Sequence, residues 1–279
     1  MRGQDAHATS LSRLCVHTIT TKPWSIEVAM DKYAAAGVGG ITVWRQWLEG
    51  RDIDRVGEEL RARNLDIVSL CRGGFFPADT LGEREKAIED NRAAIREAAQ
   101  LGAPLVVLVC GAVPGQALDV SRDQIADGIA AVLPLAEELG IRLGIEPLHP
   151  MYADSRSAIN TLASANEICD RLDHPLVGIA ADVYHIWWDP DLAEQIRIAG
   201  EKARLFAFHV CDWRTPTTDL LEDRGLMGEG CIDLKGIRAL VEAAGFDGYN
   251  EVEVFSQRWW SRDQDEFLEA ITESYLKHC

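Results

Sequence analysis

Positive charge is what this sequence has least of: 28 lysines and arginines face 45 aspartates and glutamates, a formal net charge of −17 over 279 residues. A chain of that sign repels phosphodiester backbones and anionic headgroups, so neither nucleic acid nor a membrane surface is an expected partner, and a small molecule is. Long apolar runs are missing too. No window approaches the roughly 18–20 apolar residues of a membrane span, and the opening MRGQDAHATSLSRLC holds no stretch long enough for a secretion signal. The seven cysteines, Cys15, Cys71, Cys110, Cys169, Cys211, Cys231 and Cys279, form no CxxC pair and are odd in number. Reduced, mostly buried thiols in a cytoplasmic protein are expected. A glycine-rich phosphate loop is also lacking: HTITTKPWS stands where an open, doubly wound sheet would normally carry one after its first strand.

What is present is a regular alternation of short apolar or β-branched runs with longer helical patterns. The runs are LCVHTIT, GGITVWRQ, DIVSLCRG, LVVLVCG, RLGIEPLH, VGIAADVYH, LFAFHVCDW and NEVEVFS. The spacing predicts helices over about 25–36, 52–63, 82–100, 121–139, 159–172, 191–200, 234–244 and 263–277, with Ser25 as an N-cap and with Gly102 and Gly140 closing two helices. Strand followed by helix, eight times over without a linker or composition break, predicts one α/β domain spanning 1–279, a closed (β/α)8 TIM barrel with a short irregular segment at 1–11.

In such a barrel the chemistry belongs at the C-terminal strand ends. The stretch RLGIEPLHP stops an apolar run at Glu146 and follows it with Pro147, which cannot continue a ladder. Three further runs carry ligand-type side chains near their ends: Asp182 and His185, His209, and Glu251 with Glu253. Carboxylates and an imidazole converging from four strand ends suit one hard or borderline divalent cation. Glu251 and Glu253 share a strand face, and Glu253, nearer the mouth, is assigned to the metal, with Glu251 behind it. All eight tryptophans fall at strand ends or in the loops after them. Trp44, Trp188 and Trp213 are the candidate substrate-facing rings, while at least half of the set is expected to cap the mouth as packing.

The strings GIEPLHPMYADSRSAINTLASANEICD, ADVYHIWWDPDL, AFHVCDWRTPTTDLLEDRGLMGEGCIDL and EVEVFS resemble the sugar phosphate isomerase/epimerase family, the xylose isomerase-like TIM barrels. The resemblance implies one divalent metal held by Glu146, Asp182, His209 and Glu253. It also implies that Glu146 and Glu253 serve as the acid/base pair and that His185 binds a substrate oxygen. His149 is a candidate for the same shell, with a loop histidine of no function as the alternative. Arg214 approximates the family's arginine after the seventh strand, and the family's second acidic residue after Glu146 is matched only by the displaced Asp154.

The expected chemistry is proton transfer beside a carbonyl through a metal-stabilised enediolate, an isomerase or epimerase reaction. A lyase or dehydratase acting on a keto-sugar, inosose or 3-keto-glycoside by the same enolate chemistry is the alternative. Oxygen-rich coordination suits Mn²⁺ first, then Mg²⁺ or Co²⁺, better than a tight structural Zn²⁺. Arg72 and Arg214 could hold a phosphate, but the acidic balance and the tryptophans favour a neutral polyol or glycoside. The sequence leaves homo-oligomerisation open.

Overall fold

In the computed structural model, which describes residues 10–279, parallel strands close into a barrel with helices outside it. Its strands are β1 (Leu14–His17), β2 (Gly40–Trp44), β3 (Asp66–Gly74), β4 (Leu105–Val109), β5 (Arg142–Glu146), β6 (Val177–Asp182), β7 (Leu205–Val210) and β10 (Asn250–Val252). Each pairs with the strand next in the chain, and β10 closes the ring between β7 and β1. The expected TIM barrel is therefore the fold. The inserted β8 (Asp212–Trp213) and β9 (Arg224–Gly225) form an antiparallel ribbon over the mouth. Residues 1–9 of the expected irregular segment lie outside the described residues, and Leu11 already begins a 3₁₀ turn, Leu11–Arg13.

The long helices lie within a few residues of the predicted spans: α1 (Ile26–Ala35), α2 (Ile53–Ala62), α3 (Leu81–Leu101), α4 (Leu118–Leu139), α5 (Leu162–Leu172), α7 (Leu192–Glu201), α8 (Leu234–Ala243) and α10 (Gln264–His278). Local chemistry explains the boundaries. Ser25 caps α1, Thr80 and Glu83 form a capping box on α3, and Gly102 at φ +86° ends α3 in a conformation that a side chain would strain. Two one-turn helices escaped the sequence reading, α6 (Val183–Ile186) and α9 (Gln257–Trp260), because a single turn is too short to show a 3.6-residue period. Among the described residues, no helix is long and apolar enough to cross a membrane.

Barrel strands β4 and β5 alternate inward and outward among almost wholly buried residues, as parallel strands covered by helices do. Six of the seven cysteines are buried in this packing and Cys231 is exposed. Ellman's reagent is expected to titrate one thiol rapidly in the native protein and all seven after unfolding. Rapid reaction of several native thiols would contradict this packing.

Candidate metal centre

β5 and β6 each deliver a carboxylate at their last residue, Glu146 and Asp182, β7 delivers His209 one residue before its end, and Glu253 follows β10 directly. Parallel pairing sets Asp182 level with His209, and His209 level with Glu251. Asp182 is fixed from both sides. Its Oδ1 accepts the Tyr184 amide at 2.8 Å, which caps α6, and its Oδ2 accepts from Arg224 Nη1 at 2.9 Å. The result is a compact donor set: ligand atoms of Glu146, Asp182, His209 and Glu253 all lie within 4.8 Å of one another, and all four residues are buried.

The electrostatics of that set are strained. Burial pushes the Asp182 carboxyl up, and Glu253 and Glu146 push it further against the opposing charge of Arg224. Burial acts the same way on Glu253, but Arg224 at 2.8 Å and the His17 ring at 3.2 Å outweigh it and hold that carboxyl well below its usual range. For His209 burial disfavours the charged ring, yet the hydrogen bond to Glu146 (Nδ1 to Oε1, 3.1 Å) and the charge of Glu251 lift it to about 9. Two of the three buried carboxylates, Asp182 and Glu253, share one arginine, and the buried His209 Nε2 has no hydrogen-bond partner. Oxygen donors with one imidazole and an orphaned ring nitrogen fit a divalent cation, which would balance the carboxylates.

Glu146 and Glu253 also border a narrow cavity of about 20 Å³, room for about one water. Trp44, Arg156, His185 and Arg224 share its wall. A larger cleft, about 440 Å³, opens at the other end of the barrel, where β3 and β5 begin with Asp66 and Arg142. No metal-type cluster of the described residues lies there.

The remaining candidates divide. His185 is buried, its Nε2 lies 3.2 Å from Arg224 Nη2, and burial together with that positive neighbour holds its pKa well below the ordinary value, so it is a neutral ring. His149 does not reach the cavity: its Nδ1 accepts from the Met151 amide at 3.2 Å, its ring packs on Trp188 and Trp213, and its backbone N–H donates to His185 Nδ1 at 3.2 Å. Arg214 stands outside the cavity wall. Its guanidinium pairs with Asp223, whose other oxygen accepts from Thr218, so it ties down its own loop. Trp213 stacks on Tyr184 at 4.7 Å and Trp188 donates to the His185 carbonyl at 2.8 Å, both beside the cavity and not in its wall. Trp260 donates to the Ile19 and Thr20 carbonyls, and Trp259 stacks on Phe267, so these two rings are packing.

Sequence reasoning missed Arg224 and underused His17. The β8–β9 ribbon pairs Trp213 with Arg224, which folds DRGLMGEG back over the mouth and drops Arg224 between Asp182 and Glu253. A basic residue inside an otherwise acidic and glycine-bearing loop was the available signal. His17 bridges the two C-terminal glutamates, with Nε2 3.1 Å from Glu251 and Nδ1 3.2 Å from Glu253, and these contacts lift it to about 9 against the lowering effect of burial.

Comparison with known proteins places this geometry. The family model described as a xylose isomerase-like TIM barrel matches residues 30–274. An inosose isomerase from Bacillus velezensis is 24% identical over 237 residues, covering 82% of this chain and 81% of that protein. A 3-dehydroshikimate dehydratase from Pseudomonas aeruginosa is 29% identical over 240 residues, 81% of this chain but 36% of that longer protein. Among solved structures, a protein from Sinorhizobium meliloti is 48% identical and superposes with a TM-score of 0.93 over 97% of this chain and 99% of its own. A 21%-identical structure, described as IOLI protein with a binding zinc atom, has a TM-score of 0.83 over 95% of this chain and 97% of its own, a likeness of fold.

Proposed function

The chain belongs to the xylose isomerase-like TIM barrel family, and from that premise we propose that it is a divalent-metal-dependent isomerase or epimerase of keto-sugars, moving a proton at the carbon beside the carbonyl. The observation that carries the reading is the buried set of Glu146, Asp182, His209 and Glu253, with ligand atoms within 4.8 Å of one another at four strand ends. Those four residues would hold a divalent cation, which would supply Lewis-acid polarisation of a carbonyl and its neighbouring hydroxyl and so acidify the C–H beside the carbonyl. Glu146 and Glu253 border the same cavity from β5 and from the end of β10, so one can take the proton and the other return it, each step contributing roughly 10²–10⁴-fold. Neutral His185 orients a substrate oxygen. Tyr152 and Tyr184 both donate to the Leu220 carbonyl, at 2.6 and 3.0 Å, which fixes the loop that places Leu221 in the cavity wall.

Oxygen-rich donors favour Mn²⁺, with Mg²⁺ and Co²⁺ next; the zinc named for the 21%-identical structure is reason to include Zn²⁺ in reconstitution. The dehydratase relative favours a second reading, in which the same deprotonation is followed by loss of a β-leaving group. Solvent exchange tests the shared step. In D₂O, metal-loaded protein is expected to promote deuterium exchange beside the carbonyl of at least one member of a panel of inososes, ketoses, 3-keto-glycosides, ketose phosphates and keto-carboxylates, and metal-free protein is not. Absence of metal-dependent exchange across that panel would overturn the proposal, and exchange accompanied by release of water or an aglycone would select the second reading.

A further inference from the structure

Whole-chain charge favoured a neutral substrate, but charge at the barrel mouth is distributed differently. The arginines around it are matched: Arg45 with Asp90 and Glu97, Arg214 with Asp223, Arg224 with Asp182 and Glu253, and Arg258 with Glu229. Arg72 and Arg156 are not. Among the described residues neither side chain has a carboxylate at ion-pair distance or donates a hydrogen bond to any acceptor, although acidic residues outnumber basic ones 45 to 28. Each guanidinium is instead held by a ring, Arg72 over Phe75 at 4.3 Å and Arg156 over Tyr152 at 5.6 Å. Stacking of this kind fixes the plane of the group and leaves its N–H fork free for a planar or tetrahedral oxyanion.

We infer that the substrate carries an anionic oxyacid group, a carboxylate or a phosphate, held by Arg72 and Arg156 while its carbonyl end lies at the metal centre. This refines the enolisation reading above and rests on it. Arg156 borders the cavity that Glu146 and Glu253 share, and Arg72 borders the adjoining cleft, with Trp44 in the wall of both. The two positive groups feel each other: burial first, then the charge of Arg156, lowers the pKa of the half-buried Arg72. The acids nearby are already committed. Asp90, in the same cleft, bonds both terminal nitrogens of Arg45 at 3.0 and 3.1 Å, and Glu146 belongs to His209 and the metal set. With a divalent ion in place, that ion and Arg224 balance Glu146, Asp182 and Glu253, which leaves Arg72 and Arg156 as uncompensated positive charge. Bidentate arginine contacts to an oxyanion are among the stronger hydrogen bonds available to bind a small molecule.

Calorimetric titration of the full chain with matched pairs decides it: shikimate against its methyl ester, and a hexose phosphate against the free hexose. The anionic member of at least one pair is expected to bind tenfold or more tightly than its neutral partner, and the pair concerned tells carboxylate from phosphate. Arg72→Gln and Arg156→Gln are each expected to reduce that preference, and Arg156→Lys, which keeps the charge and loses the fork, to retain part of it. No charge preference in either pair, or a preference that survives the double Arg72→Gln, Arg156→Gln variant, overturns the inference. Metal content measured on the same wild-type samples separates the two readings. A chain that binds no metal removes the enolisation proposal, whereas the arginine site stands or falls on the binding ratios alone.

Discussion

Asp182→Ala is expected to lower metal affinity on the order of 100-fold or more and to abolish measurable solvent exchange. Removing even an outer partner of a metal ligand typically costs roughly 10–100-fold, so loss of a ligand itself should cost no less. The structure makes Asp182 the most constrained of the four. It is fully buried, its Oδ1 is spent on the Tyr184 amide, and its Oδ2 points inward beside Arg224. The substitution removes a donor and also leaves Arg224 with one carboxylate fewer in a buried place, so some loss of stability is expected in the same variant. Asp182→Asn separates these effects, because an amide oxygen can still cap α6 while the charge is gone. Equilibrium dialysis with Mn²⁺, followed by elemental analysis, measures the result. Unchanged stoichiometry and affinity in Asp182→Ala would show that the centre is not built as described.

The barrel could be read from the sequence because every level of the chain repeats one instruction. Apolar runs of strand length alternate with helical patterns that begin at Ser25, Asp52 or Thr80 and end at Gly102 or Gly140, and each boundary depends on residues within a turn of it. The residues that the structure brings together at the mouth were legible to the same degree wherever the strand itself places them. Glu146, Asp182 and His209 stand at strand ends, and a strand end in a barrel has one address. Residues placed by excursions were not. Arg224 reaches the centre through a ribbon of two-residue strands, and Arg156 through an irregular stretch after the turn at Pro150–Tyr152, so neither address follows from periodicity. Arg214, one residue past β8, pairs with Asp223 across the same excursion, a contact that adjacency to the seventh strand does not show.

The two glutamates of β10 and its end give the sharpest remaining contrast. Glu253→Gln is expected to lose roughly 10²–10⁴-fold in exchange rate, with weaker metal binding, since the change removes both a charged ligand and a proton carrier. Glu251→Gln is expected to keep the metal at full stoichiometry. Both residues are buried, so exposure does not distinguish them; their partners do. Glu251 Oε2 accepts from Thr42 at 2.6 Å and lies 3.1 Å from His17 Nε2, deeper in the barrel, and Glu251 is absent from the compact donor set. Glu253 Oε2 faces Arg224 at 2.8 Å and borders the cavity. A glutamine at position 251 can keep its oxygen where Thr42 and His17 point, but it puts an NH2 in the place of the unpartnered Oε1, and that buried unsatisfied donor should cost about 1–3 kcal/mol of stability. It should also relax His17, whose charge Glu251 and Glu253 together sustain. Thermal unfolding, metal analysis and D₂O exchange on the two variants measure these separately. If Glu251→Gln loses the metal and Glu253→Gln keeps it, the register at the end of β10 is wrong by one inward position, and the acid/base pair must be sought deeper in the barrel.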